Sequence, residues 1–385
     1  MRLPNESQLS PEQKEVCYAP TDETILVIGP PGSGKTVIAV FRKNALQQQD
    51  EEAKTLVYNQ VLSSYTGVDQ TFMGWLSGWW RNCTRGRFPA MEGGRPYEYD
   101  YEQARLLVRA KHRDSIAKYG HWGHLIIDEA QDFGRDAHEL LAEVQEFCFE
   151  EGSKPNITIL ADENQRLTES NSTFSQIKQA YLLGQDQIYQ LERNYRNTRE
   201  IAALAASYYV GLASGIPKSP SRRGDVPRLY VTEDLDEAVG RIVNYARLNA
   251  NEDIGVLVHF KSTRRRLFNK LQDRLGGTGI VVQGYESGVR DSRQQARNLR
   301  FDNGGSVTVL CHASAKGLEF DTVFLPELQE LRPADHGSEV TKMTLYVMIS
   351  RARDRVFMSI SDPLEDTSIW QLLRPAISER TLSLG

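Results

Sequence analysis

Residues 29–36 of this chain read Gly29-Pro30-Pro31-Gly32-Ser33-Gly34-Lys35-Thr36, which meets the pattern G-x-x-x-x-G-K-[ST] at every fixed position. The strand-sized run Thr24–Ile28 precedes it and a helical pattern follows, so the octapeptide turns a strand into a helix. Glycines let the backbone curl until successive N–H groups point inward, and the opening helix adds its positive end. The product is a cradle for phosphate oxygens. Gly29, Pro30, Pro31, Gly32, Ser33 and Gly34 would form it, Lys35 would reach the β and γ phosphates of ATP, and Thr36 would ligate Mg²⁺. A chance glycine-rich turn is the bland alternative, and it would not need a strand before it and a helix after it.

A second element belongs beside the first. Asp128-Glu129-Ala130-Gln131 follows the apolar run Leu125-Ile126-Ile127. A carboxylate at the end of such a strand can share Mg²⁺ with the cradle, and Asp128 is the candidate. Glu129 can then polarise the attacking water as a general base. Standing alone, the pair would read equally well as an acidic helix start.

Strand-like runs alternate with helical patterns through nearly the whole chain. One series is Ile25–Ile28, Thr55–Tyr58, Leu125–Asp128, Ile157–Leu160 and Ile188–Leu191. The other is Leu229–Val231, Ile254–His259, Ile280–Val282, Val307–Cys311, Thr322–Leu325 and Val356–Ile360. Such alternation predicts an α/β fold of two domains, each a mainly parallel sheet with helices on both faces. The expected units are 1–187, with a small insertion at about 81–120, and 188–385. No apolar run approaches the roughly 20 residues that span a bilayer, and Met1–Glu6 lacks the apolar stretch of a signal peptide. The expectation is a cytoplasmic protein with no membrane contact. Cys17, Cys83, Cys148 and Cys311 show no paired spacing, which predicts free thiols and no zinc site. The net charge of −5 does not announce a nucleic-acid binder. Basic residues cluster only locally, at Arg81, Arg85 and Arg87, at Arg222 and Arg223, and from Lys261 to Arg266.

Further motifs follow in order. Asp128–Asp132 looks like the DExQD box of superfamily 1 helicases, and Ala161-Asp162-Glu163-Asn164-Gln165 is similar to their GDxxQ motif. Leu191-Glu192-Arg193-Asn194-Tyr195-Arg196 resembles LxxNYR, and His312–Asp321 matches HxxKGLEF. Tyr346–Arg353 resembles YVxxTRAR. The ordered set from Gln13 to Arg353 resembles a superfamily 1 helicase of the UvrD/Rep type. The resemblance implies two RecA-like P-loop NTPase domains gripping one ATP. By position, Gln13 would read the adenine, Tyr195 would stack on it, and Glu319 would contact the ribose. Gln165 would sense the γ-phosphate. Arg196 and Arg351 would act as arginine fingers from the second domain. Val37 stands where an adenine-flanking Arg is common, and Arg42 is the expected substitute. Thr71-Phe72-Met73-Gly74-Trp75 resembles the strand-binding TFHxx segment, so Thr71, Phe72 and Trp75 are expected in a nucleic-acid groove. Asn59, after Tyr58, is expected on a phosphate. Trp79 and Trp80 fit core packing at helical spacing.

Two intervals, Lys35 to Asp128 and Arg196 to Lys316, leave little room for the subdomains that large UvrD-type enzymes carry. Ala161 replaces the usual Gly, and no aromatic follows in Arg166–Ser170. The leading expectation is an ATP-dependent motor on single-stranded DNA, with 3′→5′ movement implied by the resemblance. A motor on RNA stays open, because these motifs do not separate ribose from deoxyribose. So does a nucleotide-operated regulatory subunit controlling a protein partner such as a nuclease.

Overall fold

The computed structural model describes residues 4–58, 61–63, 70–93, 98–150, 152, 155–162, 171–211, 215–301, 305–333 and 337–385. The expected positions Asn59 and Gln165 lie outside the described residues.

The described residues form two sheets, parallel throughout. The first holds β1 (Ile25–Ile28), β2 (Ala53–Val57), β3 (Gln70–Thr71), β4 (His124–Ile127), β5 (Asn156–Ala161) and β6 (Ile188–Gln190) in the order β3-β2-β4-β5-β1-β6. The second holds β7 (Arg228–Val231), β8 (Asp253–Val258), β9 (Val281–Gly284), β10 (Ser306–Cys311), β11 (Phe320–Leu325), β12 (Ala352–Ile360) and β13 (Ser383–Leu384). Its order is β13-β7-β12-β11-β8-β10-β9. Helices cover both faces, as parallel strands require. In β1, Ile25 and Val27 enter one core while Leu26 enters the other; in β4, Leu125 and Ile127 oppose Ile126. The second sheet alternates likewise, with Ile254, Val256 and Val258 opposite Leu257.

The expected division at 187/188 is displaced. β6 pairs in register with β1, Leu26 opposite Ile188, so residues 188–190 complete the first sheet. The chain leaves that sheet only after Leu191, whose N–H still donates to Ile28 O at 2.8 Å. The helix Arg199–Ala206 already packs into the second domain's core through Ile201, Leu204 and Ala205. That core also takes in Val57, Val61 and Leu62 from the first domain, so an apolar cluster crosses the seam.

The insertion is a helical layer rather than a loop. Helix Phe72–Thr84 is followed by helices Tyr101–Leu107 and Arg113–Tyr119. Phe72, Trp75, Leu76, Trp79, Trp80 and Cys83 recur at helical spacing and are all buried. No described helix is long and apolar enough to cross a membrane. All four cysteines are free.

Candidate active site

The carboxyl ends of the first sheet's strands deliver the site. β1 runs into the cradle at residues 29–36, β4 into Asp128 and Glu129, and β5 into Asp162, the position where open α/β sheets bind ligands. Helix Lys35–Gln48 opens at Gly34, which is left-handed. Gly32 is also left-handed, at φ 78°, and a Cβ there would stand 2.4 Å from Asn194 Oδ1. Only glycine lets the segment after β6 lie so closely on the cradle. Tyr195 N–H donates to Gly32 O at 2.8 Å across the same contact.

Lys35 is buried, and its ammonium donates to Gly29 O at 2.7 Å and Pro30 O at 3.0 Å, with Asp162 3.6 Å away. Thr36 Oγ1 donates to Asp128 Oδ2 at 2.7 Å, so two oxygens suited to one hard cation already touch. Burial, together with the charge of Glu129, pushes the Asp128 carboxyl up to about 6 against the pull of Thr36 and Lys35. No group of three or more His, Cys, Asp or Glu able to hold a metal exists among the described residues. Mg²⁺ usually takes one or two protein oxygens and fills its shell with phosphate oxygens and water. The residues present fit that cation in that way.

Glu129 is left-handed at φ 54° and buried. Gln131 Nε2 donates to its Oε2 at 2.6 Å, while Gln131 Oε1 accepts from Asp162 N–H at 2.9 Å. Burial alone would raise the Glu129 pKa, but Lys316, Lys35 and Arg351 hold it below the usual carboxylate value. A charged, oriented carboxylate beside a phosphate cradle can accept a proton from water.

The facing wall comes from the segment after β6 and from the second domain. A cleft of about 480 Å³ is lined by Lys35, Thr36 and Glu129 on one side and by Arg196, Glu319 and Arg351 on the other. Arg351 is 1% exposed; its guanidinium donates to Val347 O at 3.0 Å and lies near enough to Glu129 and Asp162 to feel both charges. Arg196 Nε donates to Glu319 Oε2 at 2.7 Å, and Arg353 pairs with the other oxygen. Burial opposes that charge, yet Arg196 and Arg353 hold the Glu319 carboxyl far below its ordinary range. Gln13, Pro31, Gly32, Gly34 and Tyr195 also line the cleft. Gln13 Nε2 donates to Ser33 O at 2.9 Å, bracing the cradle, and Tyr195, 46% exposed, donates to Glu12 Oε1 at 3.0 Å. Gly29, Pro30 and Ser33 form the cradle's buried underside.

Three expected residues lie elsewhere. Arg42 is fully buried and does not line the cleft. Its guanidinium donates to Thr158 Oγ1 at 2.7 Å, Val16 O at 3.0 Å, Ala19 O at 2.8 Å and Pro20 O at 2.5 Å. It ties the chain before β1 to the sheet. Phe72 and Trp75 are 1% and 5% exposed and belong to an aromatic core. Phe72 lies 4.2 Å from the Phe133 ring and Trp75 5.7 Å from Trp122, centroid to centroid. Neither ring is open to a base. Thr71 caps the helix that carries them, accepting from Gly74 N–H at 3.3 Å. Conversely, Arg353, Arg222 and Gly317 line the cleft without having been singled out. Arg353 and Gly317 sat inside quoted motifs; Arg222 had only its basic neighbourhood to mark it.

Residues 22–286 match the family described as Schlafen group 3, DNA/RNA helicase domain, and residues 291–362 match the UvrD-like helicase C-terminal domain. Among curated proteins, the "Probable DNA helicase II homolog" of Rickettsia felis is 26% identical over 198 residues, 46% of this chain and 28% of that protein. The "Putative ATP-dependent DNA helicase R568" of Acanthamoeba polyphaga mimivirus is 21% identical over 262 residues, 64% of this chain and 35% of that protein. The chain thus spans about a third of the length of these relatives. Two solved structures of the DUF1998 helicase MrfA, one bound to DNA and AMPPNP and one to DNA, align over 98% of this chain and 52% of theirs. Their TM-scores are 0.55 and 0.53 at 14% and 13% identity, a likeness of fold. With one family description covering well over half of its length, the chain belongs to the Schlafen group 3 DNA/RNA helicase domain family and is a UvrD/Rep-like superfamily 1 helicase.

Proposed function

We propose that the chain is an ATP-dependent translocase or helicase on single-stranded DNA, moving 3′→5′ and driven by ATP hydrolysis between two RecA-like domains. One observation carries the reading: Lys35 and Arg351, far apart in sequence and attached to different sheets, share one cleft. Phosphoryl transfer needs positive charge fixed where the γ-phosphate develops its own. When part of that charge sits on the other domain, hydrolysis alters the grip between domains, and the change of grip is a stroke.

Lys35 exchanges the carbonyls of Gly29 and Pro30 for the β and γ phosphates. Thr36 and Asp128 would hold Mg²⁺, which when bound would neutralise phosphate charge. Glu129 accepts a proton from the attacking water. Arg196 and Arg351 approach from the second domain, with Arg196 leaving Glu319 as a triphosphate draws it. Gln165 is assigned to γ-phosphate sensing by its motif. Tyr195 stacks on the base, Gln13 supports its edge, and Glu319 meets the ribose. The 3′→5′ direction rests on the resemblance. For the strand itself, Asn59 and Thr71 remain the candidates.

A second reading is favoured by the burial of Phe72 and Trp75, which removes two expected stacking surfaces from the groove. It is a nucleotide-operated regulatory ATPase acting on a protein partner such as a nuclease. One assay separates the readings: ATP hydrolysis measured alone and with single-stranded DNA, duplex DNA and single-stranded RNA. Strong stimulation by single-stranded DNA is expected. Stimulation by RNA alone moves the substrate to RNA, and full activity indifferent to every nucleic acid favours the regulatory subunit.

A further inference from the structure

We propose that Lys316 is a positioning residue for hydrolysis: by pairing with Asp132 across the seam, it makes the alignment of Glu129 conditional on domain closure. The inference rests on the ATPase reading above and deepens it. Asp132 ends the short turn Ala130–Asp132 that begins directly after Glu129. Beyond Ser172 N–H on Gln131 O at 2.9 Å and His138 Nε2 on Ala130 O at 3.0 Å, the turn is held from three directions. Gln131 binds the Glu129 carboxylate at 2.6 Å and also accepts from Asp162 N–H at 2.9 Å, fixing the turn to the end of β5. Asn171 Nδ2 donates to Asp132 Oδ1 at 2.9 Å. The third hold is Lys316, whose ammonium pairs with that same Asp132 oxygen. It is the one of the three that comes from the other domain.

Both partners are almost wholly buried, at 4% and 3% exposure. A buried carboxylate that loses its cation is left uncompensated, so such a pair holds firmly while the seam stays shut and hydrates when it opens. Lys316 does not line the nucleotide cleft, whereas its neighbours Gly317 and Glu319 do. Its charge also bears on Glu129 from nearby, and its hold on position passes through Asp132 and the turn. The neighbouring backbone supports the reach. Gly317 is left-handed at φ 80°, and a Cβ there would stand 2.7 Å from Leu62 Cδ1 of the first domain. Glu319, two residues on, holds Arg196 and Arg353. One short segment of the second domain thus sets both the finger side and the water side of the cleft.

The test uses the full chain. ATP turnover is measured with saturating single-stranded DNA, and the affinity of a fluorescent non-hydrolysable ATP analogue is measured separately. Lys316→Ala and the near-isosteric Asp132→Asn should each lower kcat on the order of 10²-fold, the usual effect of displacing a reacting group slightly. Analogue affinity should stay within about threefold, as for an interaction made only in the transition state. The double variant should be no slower than the slower single, because both remove one contact. The reciprocal swap Lys316→Asp with Asp132→Lys should recover at least about tenfold over Lys316→Asp alone, a rescue that mere loss of folding does not permit. Should Lys316→Ala fail to fold, Asp132→Asn carries the same comparison. Wild-type turnover in Asp132→Asn, or losses that fall on analogue affinity rather than kcat, would overturn the inference while leaving the ATPase reading intact. If the unaltered protein hydrolyses no ATP, the parent reading fails and this inference falls with it.

Discussion

Replacing Arg42 with alanine separates two accounts of this residue, one at the nucleotide and one in the core. The structure gives its guanidinium four acceptors, three of them backbone carbonyls of residues 16, 19 and 20, and one the hydroxyl of Thr158. Burial pushes its pKa down only to about 10, so it stays charged at neutral pH and its hydrogen bonds are charge-assisted. Each such bond contributes about 1.5–3 kcal/mol, and each carbonyl left buried without a donor costs a similar amount. The desolvation of the arginine itself offsets part of this, so the expected net loss is on the order of 3–5 kcal/mol. Urea unfolding followed by tryptophan fluorescence reports on the right domain, because Trp75, Trp79, Trp80 and Trp122 all precede β5 and only Trp370 lies in the second domain. Arg42→Lys should recover little, since one ammonium cannot reach four acceptors spread around a planar fork. Nucleotide affinity of the folded fraction should stay within about twofold, well under the tenfold that 1.4 kcal/mol represents. An unchanged urea midpoint combined with a large loss of ATP affinity would refute the core assignment and return Arg42 to the base.

Phe72→Ala and Trp75→Ala should each destabilise the first domain by about 3–5 kcal/mol, the cost of emptying a packed aromatic site. At temperatures where the variants stay folded, their affinity for single-stranded DNA should match that of the unaltered protein in a fluorescence-anisotropy titration. Glu129→Gln should bind ATP yet turn over at a small fraction of the normal rate; near-normal turnover removes the general-base role. Arg351→Ala should likewise keep nucleotide and lose turnover. His124 and His138 are buried, and burial holds their pKa values down to about 3 and about 4. Both lie below the unfolded value of about 6.5, so the stability they contribute is full above that value and is lost as pH falls through the interval. At pH 5 each should cost roughly 2 kcal/mol relative to pH 8, seen as a lower urea midpoint that flattens with pH in His124→Gln.

The strands were legible wherever an apolar run ended in a polar residue, and each expected run overlaps an observed strand, with bounds off by at most four residues. β3 and β13 were not, because two-residue strands carry no periodicity. The cradle, Asp128 and Glu129 were legible because their chemistry demands particular residues at particular spacings. Arg42 shows the opposite case with a warning already present. Lys35, Ile38, Ala39, Arg42 and Leu46 form the buried stripe of one helix, so periodicity placed Arg42 inward while motif position placed it at the base. Phe72 and Trp75 lie on an inward stripe too, and packing prevailed over motif likeness. The pairing of Lys316 with Asp132 had no local signature, since the two stand in different domains and meet only once the seam forms.

The greasy contact made by Val57, Val61 and Leu62 with the second lobe limits how the two lobes can move. Pulling the lobes fully apart would bare that contact to water at about 25 cal/mol per Å² of apolar area. The contact adjoins the cleft, since Leu62 meets Gly317 of its lining, so the lobes are expected to move by small rotations that keep most of this apolar area covered.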